Sequence, residues 1–295
     1  MKLFKLLFIK EVLEVKIKDK TYSLERSLYN IKDSELTNVK FEGKEDGESP
    51  LKECENITLK NCSFSLRYPL WHNDGLIVKK TTFTEFCRAP LWYSKNIAFE
   101  SCLLKGVKAF RECSNISIID SNIESQELMW NSNKILIKKS KISGEYAFLN
   151  CHDLSLSKVE FNGKYSFQYV TNLTIENCII NTKDAFWHAK HVIVKDSLIK
   201  GEYLGWYSED ITFINCEIQS HQPLCYVKDL KIINCKMPKC DLAFEYSTID
   251  ATIKGKIDSI KNPLKGNIQV DSINELIRED DKYPSEARVI IKGEK

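Results

Sequence analysis

The chain has 295 residues, 43% of them hydrophobic and 28% charged, with 43 basic side chains against 41 acidic ones. A formal charge of +2 supplies no bulk field for nucleic acid or an anionic membrane, and it excludes an acidic DNA-mimicking solenoid. Eleven cysteines occur without a Cys-x-x-Cys pair or a disulfide-scaffold spacing, and no stretch reaches the roughly 18 apolar residues of a membrane span.

The opening run, "MKLFKLLFIKEVLEVK", imitates a signal peptide for about ten residues. Lys5 and Lys10 break its apolar stretch and no small-residue cleavage site follows, so a reduced, cytoplasmic protein is the expectation. Residues 1–33 read as an N-terminal segment and cap, with "SLERSLYN" (23–30) as a short cap helix. A degenerate coil follows in "SELTNVKFEG" (34–43) and "SPLKECEN" (49–56).

From there the chain repeats itself. Apolar-x-apolar strands begin at Ile57, Leu76, Ile97, Ile116, Ile135, Leu154, Leu173, Val192, Ile211, Leu230 and Ile249, at intervals of 19, 21 and then 19 eight times. Each unit reads apolar-x-apolar-x-polar-small-x-apolar, as in "ITLKNCSF", "ITFINCEI" and "LKIINCKM". Alternation puts every second side chain inside, so this is two short strands joined by a polar corner. The small position holds Cys62, Thr81, Cys102, Ser121, Ser140, Val159, Cys178, Ser197, Cys216 and Cys235. Most of the cysteines therefore read as small buried hydrophobes, not as ligands or nucleophiles. Asn56, Gly75, Asn96, Asn115, Asp153, Asn172, Asp210 and Asp229 precede the strands and suit tight, left-handed corners.

A third segment closes each coil, as in "YPLWH", "APLWY", "YSFQY", "DAFWH" and "YLGWY". Its inward column runs Leu51, Leu70, Leu91, Phe110, Met129, Phe148, Phe167, Phe186, Gly205, Leu224 and Ala243. Three short strands per repeat, stacked in parallel, describe an all-β, single-stranded right-handed parallel β-helix of about eleven coils over residues 34–263. A left-handed hexapeptide helix needs more than the 11 glycines present, and leucine-rich repeats need a framework that is missing. Residues 264–295 read as a C-terminal cap and tail. There Ser272-x-x-Glu275 is a capping box opening a short helix, and "ARVIIKG" is a last strand.

Laid out by repeat, "LRYPLWHNDG", "RAPLWYSKN", "KYSFQYV", "KDAFWHAKH", "GEYLGWYSE" and "AFEYS" resemble the uncharacterised bacterial family catalogued as domain of unknown function 3737. The resemblance runs from Lys20 to Ile277 and implies a pectin-lyase-like right-handed β-helix. It brings no established activity, and no functional residue is carried over from it.

Beside the inward column stands one holding all five tryptophans: Lys52, Trp71, Trp92, Arg111, Trp130, Leu149, Gln168, Trp187, Trp206, Cys225 and Phe244. It admits Lys, Arg and Gln, so it is expected to face outward. Next to it run Glu53, His72, Tyr93, Glu112, Asn131, Asn150, Tyr169, His188, Tyr207, Tyr226 and Glu245. Coils about 4.8 Å apart make this a stripe on the order of 48 Å long. The candidate binding residues are Trp71, His72, Trp92, Tyr93, Arg111, Glu112, Trp130, Trp187, His188, Trp206 and Tyr207.

An exposed aromatic row calls for a partner. Flat rings with polar tips suit an oligo- or polysaccharide. The same rings suit self-association into a homo-oligomer or a protein partner, and a third reading has them only brace the solenoid. A carbohydrate-active lyase or hydrolase is a further alternative without a recognisable catalytic pair, since Glu53 and Glu112 stand three coils apart. Arg67, His72, Arg88, Arg111 and Glu112 form the densest polar set. His188-x-x-His191 has the wrong spacing for a strand-borne metal pair, and neither a metal nor a cofactor is expected.

Overall fold

The computed structural model describes residues 15–43, 47–280 and 282–292, and the signal-like run of residues 1–14 lies outside them. The fold is a right-handed parallel β-helix, and the described residues contain no helical segment. Every step read from the repeat is an observed pairing. Ile57 lies beside Leu76, Leu76 beside Ile97, and the ladder continues through Val192, Ile211 and Leu230 to Ile249.

The solenoid has about 14 turns, more than the eleven expected. Val15 pairs with Ser34 and Ser34 with Ile57 at one end. At the other, Ile249 pairs with Gly266, and Arg288–Ile291 adds a final strand beside Asn267–Val270. Val15 and Ile17, Ile268 and Val270, and Val289 and Ile291 keep the apolar-x-apolar signature, and only the Ser34 rung breaks it. At the inward site of the early rung stands Ser34, fully buried, whose hydroxyl donates to the Lys32 carbonyl at 2.7 Å.

Each regular coil has a six-residue strand, such as Glu55–Lys60 or Glu209–Ile214, and a second strand of two to five residues, such as Ser63–Phe64 or Glu217–His221. Inward side chains stack on their equivalents one coil away. Phe41, Phe64 and Phe83 lie ring on ring at 4.6 and 4.7 Å, and Phe148, Phe167 and Phe186 at 4.8 and 5.2 Å. The expected left-handed corners are present, with φ of 54° at Asn56, 57° at Asn96 and 57° at Asp153. Their side chains tie neighbouring coils together, Asn115 Nδ2 donating to Asn96 Oδ1 at 2.7 Å and Asn96 Nδ2 to Asp74 Oδ1 at 2.6 Å.

The small column is buried throughout, and it is more than small. The backbone N–H of Cys102 donates to Ser121 Oγ at 3.0 Å, that of Ser121 to Ser140 Oγ at 3.1 Å, and that of Cys178 to Ser197 Oγ at 3.0 Å. A corner N–H cannot join the strand ladder, and an unsatisfied one is costly, so the coil above supplies a hydroxyl or thiol. A second such column, which the sequence reading missed, closes the other side of the strand. Asn73 N–H donates to Ser94 Oγ and Cys113 N–H to Ser132 Oγ, both at 3.0 Å.

Three expectations are corrected. Residues 23–30 form no cap helix. With φ of 52–58° at Arg26, Leu28 and Asn30 they make the third segment of the first coil, hydrogen-bonded to the next coil through Asn30 N–H to Lys52 O and Leu51 N–H to Ser27 O. Ser272 and Glu275 lie within the strand Lys265–Ile277, paired along Thr248–Lys261. In both places coil-to-coil bonding overrides a local helix signal. The third segment, finally, is not a strand: every second residue has positive φ, as in Tyr146 (56°), Phe148 (63°) and Asn150 (53°).

Phe167 is fully buried between two rings, so Phe167→Ala should destabilise by about 3–5 kcal/mol in a urea titration. Cys216→Lys should give no folded protein, because it places a charge in the column. All eleven cysteines are free and buried, and burial pushes the thiols of Cys87, Cys113 and Cys151 up to about 12. Native protein should therefore resist iodoacetamide near pH 8, and unfolding should expose every thiol. A raised folded value also makes thiol burial stabilising below the ordinary value of 9.0, a contribution lost as pH climbs toward 12. The urea midpoint should fall in that alkaline window.

Candidate functional site: the aromatic third face

Alternating left-handed residues turn successive peptide groups differently from a strand. On the third face the N–H groups still reach neighbouring coils. His72 N–H donates to Trp92 O at 2.9 Å, and Leu70 N–H to Pro50 O at 3.0 Å. The carbonyl of the first left-handed residue, however, accepts no backbone N–H among the described residues at Ala89, Lys108, Tyr146, Asp184, Tyr203 or Gln222.

The tryptophans supply the missing donors. Indole Nε1 of Trp71, Trp92, Trp130, Trp187 and Trp206 donates to the carbonyls of Ala89, Lys108, Tyr146, Tyr203 and Gln222 at 2.5–2.9 Å. Gln168 does the same with its amide, to Asp184 O at 3.2 Å. In this column the tryptophans and Gln168 thus act as N–H donors, each reaching one coil ahead. Its tryptophans are half-buried rather than fully outward.

Their ring faces are occupied as well. Trp71 and Trp92 stack at 5.2 Å with planes 5° apart, and Trp187 and Trp206 at 5.5 Å and 5°. Arg111 fills the intervening place as a flat cation, with its Cζ 4.7 Å from the Trp92 ring and 4.5 Å from that of Trp130. One of its terminal nitrogens binds Glu127 at 2.8 Å. Trp71, Trp92, Arg111 and Trp130 make one continuous stack; Leu149 and Gln168 interrupt it; Trp187 and Trp206 resume it.

The neighbouring column is the exposed one. His72 stacks on Tyr93 at 4.8 Å, and Tyr169, His188, Tyr207 and Tyr226 follow one another at 4.8, 5.4 and 4.7 Å. Tyr169 is 51% and Tyr207 48% exposed. A third row holds Tyr146 on Tyr165 at 4.8 Å. In total the face carries all five tryptophans and ten of the twelve tyrosines: Tyr29, Tyr68, Tyr93, Tyr146, Tyr165, Tyr169, Tyr203, Tyr207, Tyr226 and Tyr246.

At the C-terminal end the sequence register slips by one. Tyr226 N–H donates to Glu245 O as Tyr207 N–H does to Cys225 O. Phe244 therefore belongs to the inward column, fully buried, and Glu245 takes the donor column's place. One extra residue precedes this third segment, Leu224 to Phe244 spanning twenty positions. Buried Glu245 pairs with Lys261 at 2.8 Å and raises the lysine's pKa by that bond. Cys225 is also buried, so the outward stripe ends at Trp206.

The other polar candidates do not converge. Arg67 pairs with Glu48 at 2.6 Å, and Arg111 is held within the ring stack, while Glu112 is exposed. His188 lies between tyrosines and His191 binds Asp210 at 2.8 Å. Among the described residues no three His, Cys, Asp or Glu side chains are grouped to hold a metal ion.

Sequence reading also missed a crease where the second strand meets the third face. Its floor includes Gly144 and Gly163, where a Cβ would come within 2.0 Å of Ser125 O and 2.2 Å of Gly144 O. Gly106, Gly144, Gly163 and Gly201 lie at multiples of 19 residues, a signal that was available.

The fold and this face define an aromatic-faced parallel β-helix. The chain belongs to the family described as Protein of unknown function (DUF3737), which it matches over residues 15–291. No match is found among curated proteins. Among solved structures, the chain is similar to a tailspike protein double mutant of E. coli bacteriophage HK620, at 11% identity and a TM-score of 0.38, covering 90% of this chain and 60% of the tailspike. It is similar to PfbA, a surface adhesin of Streptococcus pneumoniae, at 10% identity and 0.38, covering 88% and 81%. The A-module of the Azotobacter vinelandii mannuronan C-5 epimerase AlgE4 matches at 10% identity and 0.32, covering 94% and 87%. These likenesses concern the fold alone.

Trp187→Phe keeps the ring and removes the donor to Tyr203 O. It should cost about 1 kcal/mol by urea midpoint, and Trp187→Ala, which also empties the stack, should cost more. Equal stability of the phenylalanine variant and the parent would show that the indole N–H braces nothing.

Proposed function

We propose that this protein is a binding scaffold that takes an extended oligo- or polysaccharide along its aromatic third face. The observation that carries the reading is the row Tyr169, His188, Tyr207 and Tyr226, one ring per coil at 4.7–5.4 Å. Stacking fixes these rings in advance, so a ligand would not have to order them. Their faces meet one another, which leaves the rims and polar tips for contact. A hydroxyl-rich chain lying along the axis would find a donor or acceptor at each coil.

The same face would also suit a second copy of the chain, since Tyr and Trp are enriched at interfaces. Two measurements separate these readings. On a glycan array the parent should bind at least one oligosaccharide, and Tyr169→Ala and Tyr207→Ala should each weaken that binding several-fold while leaving the urea midpoint nearly unchanged. Sedimentation should show one molecular mass for the parent and both variants. A parent that dimerises, variants that do not and an array without a hit would replace glycan binding by self-association.

A further inference from the structure

We infer that the crease beside the aromatic face, between residues 105 and 164, is where an uncharged glycosyl unit of that ligand is held. This rests on the glycan-binding reading and locates it. Three observations meet here. The crease opens into a cavity of about 510 Å³, walled on one side by Glu124, Ser143 and Asn162 and on the other by Gln126, Glu145 and Lys164. Its floor is backbone, because Gly144 and Gly163 bring successive coils too close for any side chain. Its two glycine-floored coils are also those where Leu149 and Gln168 interrupt the indole stack, and the residues following its wall, Tyr146 and Tyr165, form the stacked pair that borders it.

The chemistry of the walls selects the ligand. Glu145 is engaged with Lys164 at 3.3 Å, whereas the side chains of Glu124, Gln126 and Ser143 make no hydrogen bond or ion pair among the described residues. Acceptors, an amide and a hydroxyl therefore face one another unspent across a bare floor, which is what a ring bearing several hydroxyls uses. Lys105 and Lys164 balance Glu124 and Glu145, so the lining carries no net charge and gives an anionic ligand no advantage over its neutral counterpart. Tyr146, 43% exposed, supplies an apolar rim for the sugar's carbon face.

The test uses the full chain on an array of neutral and uronate-containing glycans, followed by calorimetry with the strongest hit. The expected hit is neutral, with its uronate counterpart bound no more tightly. Ser143→Trp, which fills the crease from an outward, half-buried position, should abolish binding, and Glu124→Gln and Tyr146→Ala should each weaken it several-fold, with circular dichroism and urea midpoints like the parent's. Binding that survives Ser143→Trp and Tyr146→Ala but is lost with Tyr169→Ala or Tyr207→Ala overturns the crease and leaves the proposed function standing. A uronate preferred over its neutral counterpart also overturns it. An array without any hit overturns both.

Discussion

Parallel hydrogen bonding sets each residue of this chain directly over its equivalent in the coil below, usually nineteen positions earlier, and everything else follows from that superposition. A side chain in such a fold is never judged alone. It must stack on its like at about 4.8 Å, or it must complement it in charge or hydrogen bonding. Flat rings satisfy the first condition, and so phenylalanines stack inside and tyrosines outside. Asparagine satisfies the second, because an amide can donate to one coil and accept from the other, as Asn96 does. Charges satisfy it by alternation, as Lys183 with Glu202 and Lys190 with Glu209, although exposed pairs of this kind stabilise little.

The superposition also decided what could be read in advance. Side-chain columns with a strict inward requirement were legible, since burial forbids charge and leaves a clean period: the strand starts from Ile57 to Ile249 and the small column from Cys62 to Cys235 all stand where the repeat put them. Backbone conformation was less legible. Nothing in "YAFLN" separates a short strand from alternating left-handed residues, because both place every second side chain inside. The end coils were misread for a related reason. A capping-box spacing is a local signal, and it says nothing about the ladder waiting beside it. The one-residue slip at Phe244 was hidden because the strand period stayed at nineteen while the residue gained before the third segment was lost again after it.

The tryptophans show how a striking sequence pattern can carry two meanings. Five of them in one outward column suggested a binding platform, and their neighbours do remain exposed. Yet each indole N–H is committed to a carbonyl that the left-handed backbone has turned out of the ladder, and Gln168 substitutes in that role. Trp, Gln and Arg, which hold most of the column, share an N–H donor and a flat polar head, whereas Leu149 offers no donor and breaks the series. Backbone geometry thus creates a demand, the indoles meet it, and a rigid support for the tyrosine and histidine rims results.

That division has a consequence for how such a face could recognise anything. Rings fixed on one another cannot close around a ligand, and no lid is needed to form the row. Any affinity must come from many modest contacts repeated at the coil spacing, each already positioned, and so must grow with the length of ligand that stays in register. A compact ligand would meet one or two coils and gain little. An extended polymer would meet several, provided that its own repeat keeps pace with the solenoid. Selectivity would then reside where the repetition is broken, because a uniform row cannot distinguish one register from the next. On this face the break falls at Leu149 and Gln168, where the indoles stop and the glycine-floored crease opens beside them.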